Sequence, residues 1–296
     1  MAVLFSGRGE KPGAEFLDVP DVVSASRTRK FEIGERIKAG GNGVVHSCTD
    51  VVTGMEYAIK FQLDHRPDRL KRFAREQHLL SELHHEHLMS YEDHGIVKGT
   101  KIVQRKPHPA RRTAIEAPFV IMELARCSLL ESVMGDEIGP EMYYAQFRGL
   151  SRALGALHEK AVHRDIKPEN ILVVGDRWVI SDYGLCDPLD CPDDERLTPD
   201  WKIVGPRFWM SPEANNQSVG RADPIGAASD VFQLASVFWF VVNKCHPTGV
   251  LLRSDWLGPE ALFEPVFRAL HYDRKIRPQS GAVFADLIEA AILTPT

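Results

Sequence analysis

The sequence predicts an α+β chain of two lobes, a small antiparallel sheet with one key helix followed by a larger, mainly helical part. Three observations lead there. From residue 31 onward, apolar and polar residues alternate in short runs broken by turn residues. Beyond Arg126, apolar residues recur at helical spacing over four long stretches instead. Inside the second part stands one ordered polar set, His163-Arg164-Asp165-Ile166-Lys167-Pro168-Glu169-Asn170.

Each element follows in order. Residues 1–29 mix Gly, Pro, Ser and charge without sustained periodicity, and read as an N-terminal arm, partly disordered. Alternation over 31–38, 44–51 and 55–63, with a Thr53-Gly54 turn before the third run, predicts three antiparallel strands. Leu70, Phe73, Leu79, Leu80 and Leu83 share one face of a helix over 67–83, opened by Pro67. Two further strands fit 89–97 and 119–124. Residues 98–117 are long for the connection between them and carry Lys98, Lys101, Arg105, Lys106, Arg111 and Arg112. They read as a solvated insertion, the alternative being a basic loop that docks an acidic partner or nucleic acid. The small lobe is thus placed at 30–125 and the large one at 126–296, with helices over 141–160, 229–243, 260–271 and 279–293. Between the first two helices, apolar runs at 171–174 and 178–180 flank Gly175-Asp176 and predict a hairpin.

Composition narrows the classes of function. With 296 residues and 44% hydrophobic content the chain can bury a sizeable core. A net charge of −5 gives the whole molecule no strong pull towards nucleic acid or anionic membrane. The longest apolar run, 237–242 within 231–242, is too short to span a bilayer and reads as a buried helix. The first residues lack the apolar length of a secretory signal, and neither a myristoylation glycine nor a prenylation cysteine is in place. Five cysteines without a C-x-x-C pair favour reduced thiols, and the expected compartment is the cytoplasm. A redox switch at Cys186 and Cys191 is the minority reading of those thiols. His84, His85 and His87 form a tempting metal cluster, but they lack a matching ligand elsewhere and read as ordinary histidines.

The polar set carries the chemistry. Asp165 offers a carboxylate, Lys167 a cation and Asn170 an amide, a combination able to accept a hydroxyl proton, hold a transferring phosphate and ligate a metal. The hairpin would bring a second acid, Asp182 in Ser181-Asp182-Tyr183-Gly184, back beside Asn170. Singly, each of these reads as a surface charge; the joint spacing is what separates them from that background.

The segment 163–184 closely resembles the catalytic loop and metal-binding turn of eukaryotic-type protein kinases. The resemblance extends over about 31–293, with a kinase domain at 30–294, and implies ATP and Mg²⁺ as cofactors and a protein as substrate. It assigns Asp165 to orienting the acceptor hydroxyl, Lys167 to neutralising the migrating phosphoryl group, and Asn170 and Asp182 to the metal. The stretch Ile37-Lys38-Ala39-Gly40-Gly41-Asn42-Gly43-Val44-Val45 is similar to the family's glycine-rich loop, although Lys38 takes the place of its first glycine. Glycines there let backbone N–H groups approach phosphate closely. Lys60, otherwise a lysine snorkelling off a strand, would contact phosphates and pair with Glu76. In the same likeness Met122 walls the back of an adenine pocket, the backbones of Glu123 and Ala125 hydrogen-bond the base, and Val45, Ala58 and Leu172 sandwich it. All of these also read as core residues, and both readings can hold.

Glu213, Asp230 and Arg277 resemble the family's structural anchors. Lys167 marks serine/threonine specificity, whereas Pro206 and the residues after it look partly like tyrosine kinases. Residues 243–258 are too few for the family's usual substrate-docking helix. Arg164 before Asp165 implies an activation segment ordered by phosphate, with Thr198 as the candidate site; Asp193, Asp194 and Glu195 are the alternative as fixed charge. The expected function is ATP-dependent transfer to Ser/Thr hydroxyls with autophosphorylation. A nucleotide-binding scaffold without chemistry, a tyrosine or dual-specificity kinase, and transfer to a non-protein acceptor are its rivals.

Overall fold

Successive side chains of a strand face opposite sides, and residues 43–50 alternate in burial without exception, burying Val44, His46, Cys48 and Asp50. The computed structural model describes residues 2–5, 15–26, 28–40, 43–103, 110–135, 138–189, 209–221 and 223–293. It divides into two compact units. The first comprises Met1–Glu82 with Ser90–Leu124, and the second Leu83–Met89 with Ala125–Thr296.

The first unit contains β1 (Ala2–Phe5), β2 (Glu15–Val19), β3 (Val22–Ser24), β4 (Lys30–Gly40), β5 (Gly43–Asp50), β6 (Glu56–Phe61), α1 (Pro67–Glu82), β7 (Tyr91–Val103) and β8 (Arg111–Glu123). The strands form one eight-stranded sheet in the order β1-β2-β7-β8-β6-β5-β4-β3, antiparallel at every pair. Its buried face gathers Leu17, Val19, Val23, Phe31, Val44, Ile59, Phe61, Phe119 and Ile121 into one core. Pro20 has no N–H and interrupts the N-terminal strand, so β2 pairs with β7 and β3 with β4. The Ser26 N–H then donates to His94 O at 2.7 Å, which draws the β3 end of the sheet against β7. The sheet is curled round its own core.

This corrects two expectations. Residues 2–5, 15–19 and 22–24 are not an arm: they are strands, and Leu4, Leu17, Val19 and Val23 are buried. Residues 98–103 and 111–117 are not loop either, since β7 and β8 stay paired out to Val103↔Arg111. The two errors share a cause. β2 pairs with the outer part of β7, from Glu15↔Val103 to Asp18↔Thr100, so each segment is the other's partner. Lys98, Lys101, Arg111 and Arg112 therefore project from a hairpin, while Arg105 and Lys106 lie outside the described residues.

The second unit contains β9 (Cys127–Ser128), α2 (Leu129–Gly135), α3 (Pro140–His158), β10 (Ala161–Val162), β11 (Ile171–Val174), β12 (Arg177–Ile180), β13 (Asp187–Pro188), α4 (Pro212–Ser218), α5 (Ala227–Asn243), α6 (Glu260–Ala269) and α7 (Gly281–Leu293). α5 is buried on nearly every side, as its unbroken apolar run requires. Phe238 on α5 stacks on Phe147 of α3 with ring centroids 3.8 Å apart, and on Phe284 of α7 at 5.7 Å. α3 and α7 meet through two glycines. A Cβ on Gly155 would stand 2.7 Å from Ala282 N, so no larger residue permits that approach. Residues 244–259 hold a single 3-10 turn, Arg253–Asp255, in agreement with the missing docking helix.

Residues 83–89, expected in the small lobe, belong to the second unit. Met89 N–H donates to Ile180 O and Ile180 N–H to His87 O, both at 2.9 Å. His87 is buried, with Nδ1 2.7 Å from Trp178 O. No helix among the described residues is long and apolar enough to cross a membrane.

Because Leu17 fills the core of the curled sheet, Leu17→Ala is expected to destabilise the protein by about 2–5 kcal/mol, read as a lower urea midpoint. A change close to zero would restore the loose-arm reading.

Candidate active site

In the first unit, strand pairing decides which side chains share a face. Val45 opposes Lys60 across β5 and β6, and Ala58 opposes Met122 across β6 and β8. Directly opposed residues project to the same side. Val45, Ala58, Lys60 and Met122 therefore lie together on the face turned away from the core residues Val44, Ile59 and Ile121. Lys60 Nζ meets Glu76 Oε1 of α1 at 2.5 Å, and both side chains are buried. Gly40 and Gly43 close the hairpin between β4 and β5. Gly43 has φ of 131°, which only glycine adopts freely. Gly41 and Asn42 lie outside the described residues. Ile37 is exposed on β4, and Glu123 ends β8 with its N–H donated to Ser90 O at 3.1 Å.

In the second unit, the Asp165 carboxylate is tightly held. Asp165 is buried and accepts from Lys167 Nζ at 3.1 and 3.0 Å and from Asn170 Nδ2 at 2.7 Å. Asn170 Nδ2 also donates to Asp165 O at 2.9 Å. The amide nitrogen is thus committed to Asp165, and the end left for a cation is Oδ1, a hard oxygen donor. β11 and β12 form the hairpin, Ile171 opposite Ile180. Beyond it, Ser181 N and Oγ donate to Asn170 O at 2.9 and 2.8 Å. That register sets Asp182 one residue past Asn170's partner. Asp182 has φ of 64°, a left-handed conformation that a non-glycine residue holds only when its surroundings impose it. Burial pushes the Asp165 carboxyl above the usual aspartate range and the nearby Asp182 charge adds to that, while Lys167 opposes it. Leu172 sits on β11, and Ala125 precedes Arg126, whose N–H donates to Val173 O at 2.8 Å.

The loop that carries Asp165 is fixed from below. Asp230, with 0% exposure in the first turn of α5, accepts from His163 N at 2.6 Å, Arg164 N at 2.8 Å and His158 Nε2 at 3.1 Å. Gln233, one turn on, accepts from Ile166 N at 3.1 Å. Gly281 N–H donates to His158 Nδ1, so the proton of that imidazole sits on Nε2 and points at Asp230. Likewise Asp165 N–H donates to His163 Nδ1, leaving His163 Nε2 to donate to Ser181 O. From the side, Gln146 of α3 grips the hairpin through Asp176 O and Trp178 N, at 2.6 and 2.9 Å.

Glu213 and Arg277 form a second anchor, a fork with both N···O distances at 2.9 Å. Arg277 further donates to the backbone oxygens of His271, Tyr272 and Ala228, and Ser229 Oγ donates to Glu213 Oε1 at 2.5 Å. Burial raises the Glu213 carboxyl, but the hydrogen bonds from Arg277 and Ser229 outweigh it and hold the group below the usual range.

Comparison with known proteins decides the family. Residues 31–254 match the protein kinase domain. This chain belongs to the protein kinase family. The kinase domain is 27% identical over 228 residues to a protein of Corynebacterium efficiens named probable serine/threonine-protein kinase, covering 74% of this chain and 31% of that one. It is 25% identical over 284 residues to serine/threonine-protein kinase PknB of Mycobacterium tuberculosis, covering 88% of this chain and 42% of PknB. With serine/threonine-protein kinase pak-1 of Caenorhabditis elegans it shares 28% over 218 residues, 70% of this chain and 34% of pak-1. The chain thus spans about a third to two-fifths of these relatives' length.

Three supporting residues of the kinase domain escaped the sequence reading: His158, Gln233 and Gln146. Gln233 had a signal, its i, i+3 spacing from Asp230 on a buried helix. Thr198, Cys191, Pro206 and the acids at 193–195 lie outside the described residues.

Arg277→Met leaves the Glu213 carboxylate buried without its cation, so a loss of about 3–5 kcal/mol at neutral pH is expected. The native pair holds a depressed acid, so its contribution is present above about pH 4 and lost as pH falls through the depressed value. Urea titrations should therefore show the gap between variant and wild type narrowing on acidification.

Proposed function

We propose that the chain is the catalytic domain of an ATP- and Mg²⁺-dependent kinase that phosphorylates serine and threonine hydroxyls of proteins, itself included, in the cytoplasm. The observation that supports it best is the Asp165 carboxylate, buried and gripped by Lys167 and Asn170. The names of the relatives favour serine and threonine as acceptors, as does Lys167 in the loop.

The acceptor hydroxyl would donate its hydrogen bond to Asp165. Its oxygen attacks the γ-phosphorus, the bond to the β–γ bridging oxygen breaks, ADP carries away the released electron pair, and the hydroxyl proton passes to Asp165. The transition state is loose, so the carboxylate acts mainly by orienting the oxygen. Lys167 Nζ, already beside Asp165, would balance charge on the moving phosphoryl group. Asn170 Oδ1 and Asp182 suit Mg²⁺, which when bound neutralises phosphate charge. In the first unit, Lys60, steadied by Glu76, would hold the α- and β-phosphates, with Gly40, Gly41 and Gly43 offering backbone N–H groups. Ile37, Val45, Ala58, Met122, Glu123, Ala125 and Leu172 would hold the adenine.

The deciding experiment compares wild type with Asp165→Asn on labelled ATP, Mg²⁺ and a protein acceptor, with modified residues mapped by mass spectrometry. Transfer to Ser or Thr by wild type is expected, with a loss of about 10²–10⁴ in the variant and ATP affinity retained. Nucleotide binding without any transfer by wild type would indicate the scaffold instead. Because the reaction needs Asp165 ionised and its carboxyl is raised, the acid limb of kcat/KM should lie above the ordinary aspartate value of about 3.9.

A further inference from the structure

Arg164 stands immediately before Asp165 and its surroundings are closely defined. Its backbone is left-handed, with φ of 72°, and its N–H is tied to Asp230 Oδ1. The guanidinium is largely buried and forms an ion pair with Asp187, Nη1 to Oδ2 at 3.3 Å. Asp187 is placed by backbone pairing. β13 runs antiparallel to β10 with Asp187 opposite Val162, and the Leu189 N–H donates to Lys160 O at 2.9 Å. The carboxylate thus comes from a ladder adjoining the residues that lead into the catalytic loop.

The sequence pointed elsewhere for this anion, to a phosphorylated Thr198 or to the acids at 193–195. We propose that Asp187 is a positioning residue that supplies the counter-charge for Arg164 from within the chain, so that transfer proceeds without phosphate on the activation segment. The inference rests on the kinase reading above. Arg164 is always charged, and leaving its buried side chain without an anion would favour withdrawal of the guanidinium towards water, dragging the backbone next to Asp165. Asp187 removes that tendency in the unmodified chain. Among the described residues, Arg164 Nε is buried and has no hydrogen-bond partner, so there one edge of the fork is open to a second acceptor. A phosphate arriving there would carry a charge of about −1.5 to −2 into a site that already holds a carboxylate. Repulsion between the two anions limits what the modification can add.

The test uses wild type, Thr198→Ala, Asp187→Asn and Asp187→Glu. Each is treated with a protein phosphatase, its phosphate content checked by intact mass, and kcat and KM are measured with ATP and a serine/threonine peptide. Dephosphorylated wild type and Thr198→Ala are expected to turn over within about twofold of untreated enzyme. Asp187→Asn should lose about ten- to a hundredfold in kcat with little change in KM for ATP, and Asp187→Glu should regain most of that. Activity of wild type only when Thr198 is phosphorylated overturns the proposal, whether or not the Asp187 variants fold. So does an Asp187→Asn variant with a native melting temperature and undiminished kcat. Absence of transfer in every form, treated or untreated, would count against the kinase reading itself, and the inference would fall with it.

Discussion

The carboxylate of Asp230, sealed from solvent at the start of α5, satisfies backbone donors on two successive residues of the loop before Asp165. A buried charge is tolerated only when its lone pairs are filled, and here three donors and the first turn of a helix fill them. The dependence is mutual. Without Asp230 the loop would lose the acceptor for His163 and Arg164 N–H groups; without the loop, Asp230 would keep only His158 of those three donors. Asp165 inherits its position from this exchange, and the raised affinity of its carboxyl for a proton follows from the same burial.

The two ion pairs beyond the loop do different jobs. Glu213 and Arg277 are saturated, the guanidinium donating to the carboxylate and to three backbone oxygens. Such a pair fixes geometry and leaves nothing over for a ligand. Lys60 and Glu76 meet through one short contact on a sheet face they share with Val45, Ala58 and Met122. The same chemistry, an acid facing a cation, thus ties α4 to the segment before α7 in one place and α1 to β6 in the other.

What could be seen in the sequence and what could not differ in physical range. The 163–170 set and Asp182 were legible because the spacing is local and one hairpin closes it. The long helices were legible from their apolar period, and α5 also from the continuous apolar run at 237–242. β2 and the outer hairpin were not, because residues 15–18 find their partners only at 100–103. No short window contains that information. Asp187 was missed for a related reason: strands of two residues leave no periodic trace. Gln146 was hidden because a glutamine in a helix looks the same whether it faces solvent or holds a loop.

The path of the chain through residues 83–89 has a consequence for dissection of the molecule. That stretch lies in sequence between α1 and β7, yet its hydrogen bonds go to Trp178 and Ile180. A fragment stopped at Leu124 would keep Leu88 and Met89, both nearly solvent-free in the intact protein, with nothing to cover them. Separating the sheet-bearing part by a single cleavage would therefore yield a sticky product, and a clean excision would need the intervening loop rebuilt with polar residues.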